Sequence, residues 1–271
     1  MAENHTSTPP NTPLQWTGWH TFTLLVIIVM MVLAGVLIPV RARVWAWIVT
    51  LMLLAAFATV AGQGITGLRY GLLIDERNKI SLSRLQLTLW TITVLSGFFA
   101  AALSNLATGQ PNPLAIAVPS ELWLLMGIST TSLVASPLIN STKQNVQANE
   151  EEKSRTFAQL AKQMGIEKVE EAVSNRGQLV INLQPEDAQW ADMFRGEETG
   201  NAAHLDLSKI QMFYFTLILV LAYAVALGRT FSGSEPDISM FPAVDPSMVA
   251  LLGISHAGYL THKAISHSAA A

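Results

Sequence analysis

Long apolar runs without charge are the feature that most limits what this chain can fold into. Residues 21–40 and 44–62 contain no Asp, Glu, Lys or Arg, although the chain is 13% charged overall. About twenty apolar residues cross the hydrocarbon core of a bilayer, and a soluble domain carries about 25% charged residues. Four further apolar segments follow, at 85–106, 121–140, 210–228 and 247–264. The sequence therefore predicts an all-α polytopic membrane protein with six transmembrane helices.

Composition excludes several function classes. The chain has no cysteine, which rules out disulfides, thiolate metal sites and a catalytic Cys. The net charge of −3 is too small and too mixed to indicate a nucleic-acid partner. The sequence contains no metal-protease, phosphate-loop or dinucleotide motif, so we expect no cofactor, no metal and no catalytic residues.

A short motif occurs twice and suggests a duplication. Residues 82–86 read LSRLQ and residues 207–211 read LSKIQ, an offset of 125. A Gly-Ile-Ser triplet follows each copy, at 127–129 and 253–255, an offset of 126. Both copies lead into a span from the same side, which predicts two hairpin repeats related by an axis along the membrane normal.

The predicted organisation has five parts. A flexible N-terminal tail covers residues 1–20, and a transmembrane hairpin covers 21–62. Repeat 1 covers 63–140, and repeat 2 with the C-terminal tail covers 206–271. A small cytoplasmic α/β insert at 141–205 separates the repeats.

The repeated motif is typical of a helix cap. In a capping box, the Ser hydroxyl accepts a hydrogen bond from the backbone N–H three residues later, and the Gln side chain at that position accepts one from the Ser backbone N–H. Ser83 with Gln86 and Ser208 with Gln211 have this spacing. Arg84 and Lys209 would then reach the cytoplasmic surface along the helix. The alternative is that both motifs line a vestibule and contact a ligand or another subunit.

Small residues in spans 4 and 6 form two candidate packing or pore-lining faces. Residues of this size allow close helix approach, and hydroxyls can bond across the contact. The candidates are Gly127, Ser129, Thr131, Ser132, Gly253 and Ser255.

His256 is the candidate for a titratable group deep in a span. It shares a helical stripe with Tyr259, His262 and Lys263, at spacings of three, six and seven residues. Ionisable groups within membranes have a high rate of functional roles. An interhelical hydrogen bond is the favoured interpretation, and a proton, gating or ligand role is the alternative.

The insert carries most of the charge. The pattern of 150–163 predicts a helix that ends at Gly165, and 178–183 predicts a short strand. Trp190 and Phe194 suggest a short amphipathic helix on the membrane surface. The insert-surface candidates are Trp190, Phe194, Arg195, Glu197 and Glu198.

Basic residues predict the orientation. Thirteen of the sixteen Lys and Arg residues lie on one side if both termini are cytoplasmic, as in a multi-pass protein of a plasma or inner membrane. The Arg41-Ala42-Arg43 turn resists this assignment, since it lands outside.

Three functions remain open from sequence. The favoured one is a membrane scaffold or signalling subunit that forms a homo-oligomer and whose insert engages a soluble cytoplasmic partner. The alternative is an oligomeric channel or pore-type transport protein. An enzyme acting on a lipid or membrane peptide is the least favoured, because no nucleophile–base or metal-ligand set occurs.

Overall fold

The computed structural model of the protein describes residues 16–235 and 237–268. The described part is mostly helical with one small sheet. The longer helices are α1 Gly18–Leu37, α2 Arg43–Thr66, α3 Leu82–Ala107, α4 Ser120–Gln144, α7 Leu207–Ser232 and α8 Pro246–Ala264. The insert contributes α5 Glu150–Met164, α6 Ile166–Ala172, β1 Val173–Arg176 and β2 Leu179–Asn182. Short 3-10 turns lie at Val40–Ala42, Gly71–Leu73, Pro185–Asp187 and Trp190–Met193.

Within the described residues, five helical segments are long and apolar enough to cross a membrane. They are α1, Val40–Thr66 (which contains α2), α3, α4 and α7. The helix over the sixth predicted span, α8, has 19 residues but is not among them. Its polar residues His256, Tyr259, His262 and Lys263 leave it without a membrane-length stretch as apolar as those in the other long helices. The prediction of a mostly helical chain with several helices able to span a membrane is confirmed.

The helices pack around large aromatic side chains. Trp90 is fully buried and its ring lies 6.0 Å from that of Tyr223. Trp47 stacks on Phe231 at 5.5 Å and donates from its indole nitrogen to Ser96. These contacts join α2, α3 and α7, while α4 and α8 pack against each other and α8 packs on α7.

One end of the bundle collects the turn at 38–42 and the two Pro-containing connections. Arg43 is buried and donates to the carbonyls of Phe231 and Gly233, at the C-terminal end of α7. Asn105 at the end of α3 donates to the Ile238 carbonyl. The Arg-Ala-Arg turn that resisted the charge rule thus contributes a helix-end cap, because a guanidinium satisfies carbonyls that have no partner within the helix.

The insert folds over the opposite end. Asn149 caps α5 by accepting from the amides of Glu151 and Glu152, and Gly165 ends it with a φ of +99°. Strands β1 and β2 form an antiparallel hairpin through Gly177, whose φ is +56°. The predicted helix at 150–163 and strand at 178–183 are confirmed.

Two boundary predictions need correction. The 1–20 tail was predicted to be flexible throughout, but α1 already begins at Gly18; residues 1–15 lie outside the described residues. The insert was predicted to begin at residue 141, but α4 continues to Gln144. Both helices extend past their apolar cores because polar residues such as His20 and Lys143 are accommodated in a terminal turn.

Candidate functional site

A buried polar network crosses the middle of the bundle. His256 on α8 is 3% exposed, and its Nδ1 lies within hydrogen-bond distance of the Ser132 hydroxyl on α4. Its Nε2 lies 3.2 Å from Nε2 of Gln86 on α3, and the Gln86 amide also donates to the Thr216 hydroxyl on α7. Four long helices are therefore joined by one chain of side-chain hydrogen bonds. The favoured interpretation of His256 as an interhelical hydrogen-bonding residue fits this geometry.

The two motif copies occupy different positions in the structure. Gln86 is fully buried in the network, whereas Gln211 is exposed. The buried residue of α7 that corresponds to Gln86 is Met212, which lies 126 residues after it, and Lys209 likewise corresponds to Ser83. The buried faces of α3 and α7 thus match one residue out of register with the sequence motif.

The capping-box prediction is wrong for both copies. The N-cap of α3 is Ser81, and the Ser83 hydroxyl has no hydrogen-bond partner among the described residues. The N-cap of α7 is Asp206, whose carboxylate accepts from the amides of Ser208 and Lys209. Asp is a strong N-cap, so α7 starts two residues earlier than the Ser-based pattern indicated.

A buried ionic cluster joins the insert to the bundle. We call Glu197, Arg77, Lys209 and Lys263 the ionic junction. Glu197 lies in the insert, and its carboxylate oxygens are 2.9 Å from Arg77 Nη1, 2.8 Å from Lys209 Nζ and 2.5 Å from Lys263 Nζ. The three cations come from the segment before α3, from α7 and from α8. One insert carboxylate therefore holds three separate parts of the bundle.

Electrostatics keep the Glu197 carboxyl ionised. Burial alone would raise the pKa of Glu197, but the charges of Arg77, Lys209 and Lys263 outweigh burial and hold its pKa well below the usual range. Arg77 is balanced in turn by Asp75, whose Oδ2 lies 2.6 Å from Nη2. The pKa of Arg77 is raised because these two carboxylates outweigh its burial.

A second buried pair lies beside the ionic junction. Lys143 at the end of α4 is 2.5 Å from Glu198 and donates to the Ile265 carbonyl at 2.8 Å. Glu198 also accepts from the His267 amide at 2.9 Å, so the segment after α8 is fastened to the insert. Cations from α4, α7 and α8 thus all reach adjacent carboxylates of the insert.

These contacts overturn three sequence predictions. Glu197 and Glu198 were predicted to lie on the insert surface, but Glu198 is 2% exposed and the Glu197 side chain 11%. Lys209 was predicted to reach the cytoplasmic surface, but it is 4% exposed and bound to Glu197. The physical reason is that desolvated opposite charges are retained only as pairs.

The remaining insert candidates face the bundle only in part. Trp190 is exposed, and Phe194 packs edge-on against Phe213 of α7 with ring centres 5.2 Å apart. Arg195 is half-buried, and its carbonyl accepts from Lys209 Nζ. The predicted amphipathic helix is a single 3-10 turn, Trp190–Met193, and Met193 is buried against the bundle, so its apolar side does not form a membrane-surface face.

The small-residue faces divide into two groups. Ser129, Ser132 and Ser255 are buried between helices. Gly127 and Thr131 are exposed on α4, and a Cβ added at Gly127 would meet nothing within 4 Å. The inner group thus packs helices together, and the outer group forms an exposed face of α4.

The two other candidates contact the neighbouring helix α4. A Cβ added at Gly253 would lie 3.7 Å from Ile128, an ordinary contact between α8 and α4. Tyr259 is 3% exposed. Its hydroxyl oxygen lies 3.4 Å from the Ser136 hydroxyl oxygen and 3.4 Å from Lys263 Nζ. Tyr259 therefore lies between the polar network and the ionic junction.

An acidic cleft is lined entirely by residues of the insert. It is lined by Glu167, Lys168, Glu171, Ala172, Gln184, Glu186 and Asp187. Four carboxylates against one ammonium give this cleft a negative charge. Within the described part of the chain, no group of three or more His, Asp and Glu residues could hold a metal ion.

Sequence analysis missed Arg77, Asp75 and Lys143. Each lies next to a span, where a charge is normally explained by solvation. The available signal was their distribution: basic residues precede α3, end α4, begin α7 and end α8. Four cations at one level of a bundle require counter-charges if that level is covered.

Comparison of the chain with models of known protein families, with curated proteins and with solved structures finds no match. The function must therefore be inferred from the chemistry of these sites.

Proposed function

We propose that the protein is a membrane scaffold or signalling subunit whose insert binds a soluble partner and holds the adjacent ends of the spans. The ionic junction carries this proposal. Glu197 contacts cations from three bundle segments, so a displacement of the insert is transmitted to the segment before α3, to α7 and to α8 together. Removal of one partner of a buried ion pair costs about 3–5 kcal/mol, so the contact between insert and helices is costly to break.

The proposed topology has six spans with both termini in the cytoplasm. The packing of α8 on α4 and α7, both long and apolar, supports its inclusion as the sixth span. The distribution of basic residues supports a cytoplasmic insert, and the burial of Arg43 accounts for one of the two charges that opposed this orientation. A plasma or inner membrane is the proposed location.

The acidic cleft supports a partner with a basic surface. Glu171 and Glu186 are exposed at this cleft, and none of the residues that line it belongs to the ionic junction. Complementary charge increases the association rate and selects partners. The partner we propose is a soluble cytoplasmic protein that presents Lys or Arg to Glu167, Glu171, Glu186 and Asp187.

The test compares two double variants of the full-length protein in lipid nanodiscs. Glu171→Gln with Glu186→Gln neutralises the cleft, and Glu150→Gln with Glu151→Gln removes two charges from the start of α5. Each form is incubated with a soluble cell extract, and the bound proteins are quantified by mass spectrometry. We expect wild type and the α5 variant to bind the same soluble protein and the cleft variant to lose it. Equal recovery by all three, or no specific recovery by wild type, would contradict the proposal.

Self-association is proposed on the outer α4 face. Gly127 and Thr131 are exposed and the space over Gly127 is open, which suits close contact with a second copy. Because the chain has no cysteine, Gly127→Cys gives a single reporter. Oxidation should produce a covalent dimer from Gly127→Cys but not from Met52→Cys, an exposed residue of α2. Equal crosslinking at both positions would count against this face.

The pore alternative has less support. Ser129, Ser132 and Ser255, candidates for either helix packing or a pore lining, lie in the protein interior between helices. A channel would therefore have to form between copies. Solute flux through the purified protein in liposomes, lost with Thr131→Trp and retained with Ser132→Ala, would favour that alternative over the scaffold.

A further inference from the structure

A cleft with a polar wall opens between α3, α4 and the segment that precedes α3. It has a volume of ≈ 470 Å³. Its polar lining includes Asp75, Glu76, Ser83 and Arg84, and its apolar lining includes Leu72 and Leu87. The polar residues lie at the insert-side end of the spans, where Asp75 pairs with Arg77 of the ionic junction.

Two opposite charges in this cleft are left without ion-pair partners. Among the described residues, neither Arg84 nor Glu76 forms an ion pair, with each other or with another side chain. Glu76 accepts only a long hydrogen bond, 3.5 Å, from Asn140. A ligand that carries both charges would satisfy both side chains.

Ser83 adds an independent indication of a ligand. It lines the same cleft, is 1% exposed, and its hydroxyl has no hydrogen-bond partner within the described residues. A buried polar group without a partner is costly, by about 1–3 kcal/mol. Asp75, by contrast, is already engaged by Arg77.

An apolar slot continues from the cleft along the bundle. It has a volume of ≈ 310 Å³ and shares Leu72, Leu87 and Thr88 with the cleft. The other lining residues are Leu54, Phe57, Ala58, Thr91, Ile92 and Leu95. From Arg84 to Leu95 the helix rises about 16 Å, close to half of a bilayer core of about 30 Å.

We propose that the cleft and slot together bind one phospholipid with a zwitterionic phosphate–ammonium headgroup, from the leaflet on the insert side. The phosphate binds Arg84 and the Ser83 hydroxyl, and the ammonium group binds Glu76. One acyl chain lies in the slot between α2 and α3, and its length matches one leaflet. An anionic headgroup without an amine would leave Glu76 unpaired, and a soluble headgroup would leave the slot unfilled.

Native mass spectrometry of the full-length protein in detergent tests this assignment. The probes are phosphatidylethanolamine, phosphatidylglycerol and free phosphoethanolamine, each titrated separately and in competition. The variants are Arg84→Gln and Glu76→Gln for the headgroup and Ala58→Phe for the slot. Arg41→Gln and Met52→Phe are the matched controls, because both residues are exposed and lie outside the cleft and slot.

The expected result has three parts. Wild type and both controls bind phosphatidylethanolamine about tenfold more tightly than phosphatidylglycerol, since one charge-assisted contact contributes about this factor. Glu76→Gln removes the preference, and Arg84→Gln weakens both lipids. Ala58→Phe weakens both lipids, and free phosphoethanolamine displaces neither.

Three results would overturn the proposal. They are equal binding of the two lipids by wild type, unchanged lipid binding in Glu76→Gln, and displacement of the lipid by an equal concentration of free phosphoethanolamine. Because Glu76 is exposed and forms no ion pair with any residue that the structure describes, its variant is expected to fold even if Arg84→Gln does not.

Discussion

The carboxylate of Glu197 in the insert lies 2.5 Å from the ammonium group of Lys263 on α8. The same carboxylate contacts Arg77 and Lys209, so the insert is bound to the bundle by charge at a buried level. An insert attached only through its two chain connections could move independently of the helices. The ionic junction opposes that independence.

Glu197→Gln should destabilise the protein by about 3–5 kcal/mol, because it leaves three cations without their shared counter-charge. Thermal unfolding of purified protein in detergent measures the change. Glu186→Gln, which alters an exposed acid of the same insert, should change the stability by no more than about 0.5 kcal/mol. If both variants have the same melting temperature as wild type, the ionic junction contributes no stability.

The stabilisation from Glu197 should depend on pH in a defined direction. Its pKa is lowered in the folded protein, so its contribution is fully present above the unfolded pKa of about 4.3 and is lost as the pH falls through the lower folded value. The difference in melting temperature between wild type and Glu197→Gln should therefore stay constant from pH 7 to about pH 5 and narrow in stronger acid. A difference that widens in acid would mean that folding raises the pKa of Glu197, which would contradict this prediction.

Gln86→Leu and Gln211→Leu should change the free energy of unfolding by different amounts, although both residues end the same motif. Gln86 is buried against His256 and Thr216, so its loss should cost about 1–3 kcal/mol, whereas Gln211 is exposed. Denaturant unfolding of the two variants gives the comparison. Equal losses would mean that the motif, rather than burial, determines the effect.

Arg43→Gln should destabilise the end of the bundle away from the insert by about 1–3 kcal/mol, because the carbonyls of Phe231 and Gly233 lose a charged donor. Arg41→Gln is the matched control, since Arg41 is exposed in the same turn. Unfolding of both variants in detergent should separate them. Equal stabilities would remove the capping role from Arg43.

The sequence predicted the helices well because apolar length is a local property. The segments 44–62, 85–106 and 210–228 lie within α2, α3 and α7, and the segment 21–40 overlaps α1. Helix α5 was predictable from its N-cap and its apolar periodicity. The motif was less informative. LSRLQ and LSKIQ resemble each other in letters, but helix rotation places Gln86 inside and Gln211 outside, and rotation depends on tertiary packing.

The candidate site was predictable only in part. His256 could be singled out because an ionisable residue is rare in an apolar segment. Glu197 and Glu198 could not be distinguished from surface acids, because their counter-charges lie far away in sequence at Lys143, Lys209 and Lys263. Long-range charge pairing leaves no local pattern.

Hydrogen exchange of wild type and Glu197→Gln in nanodiscs tests the coupling between insert and bundle most directly. If Glu197 transmits insert position to the helices, the variant should lose protection at the start of α7 (207–212) and the end of α8 (259–264) together with the insert. Protection around Asn105 and Ile238, at the far end, should stay unchanged. Loss of protection confined to the insert, with both helix ends still protected, would contradict the account.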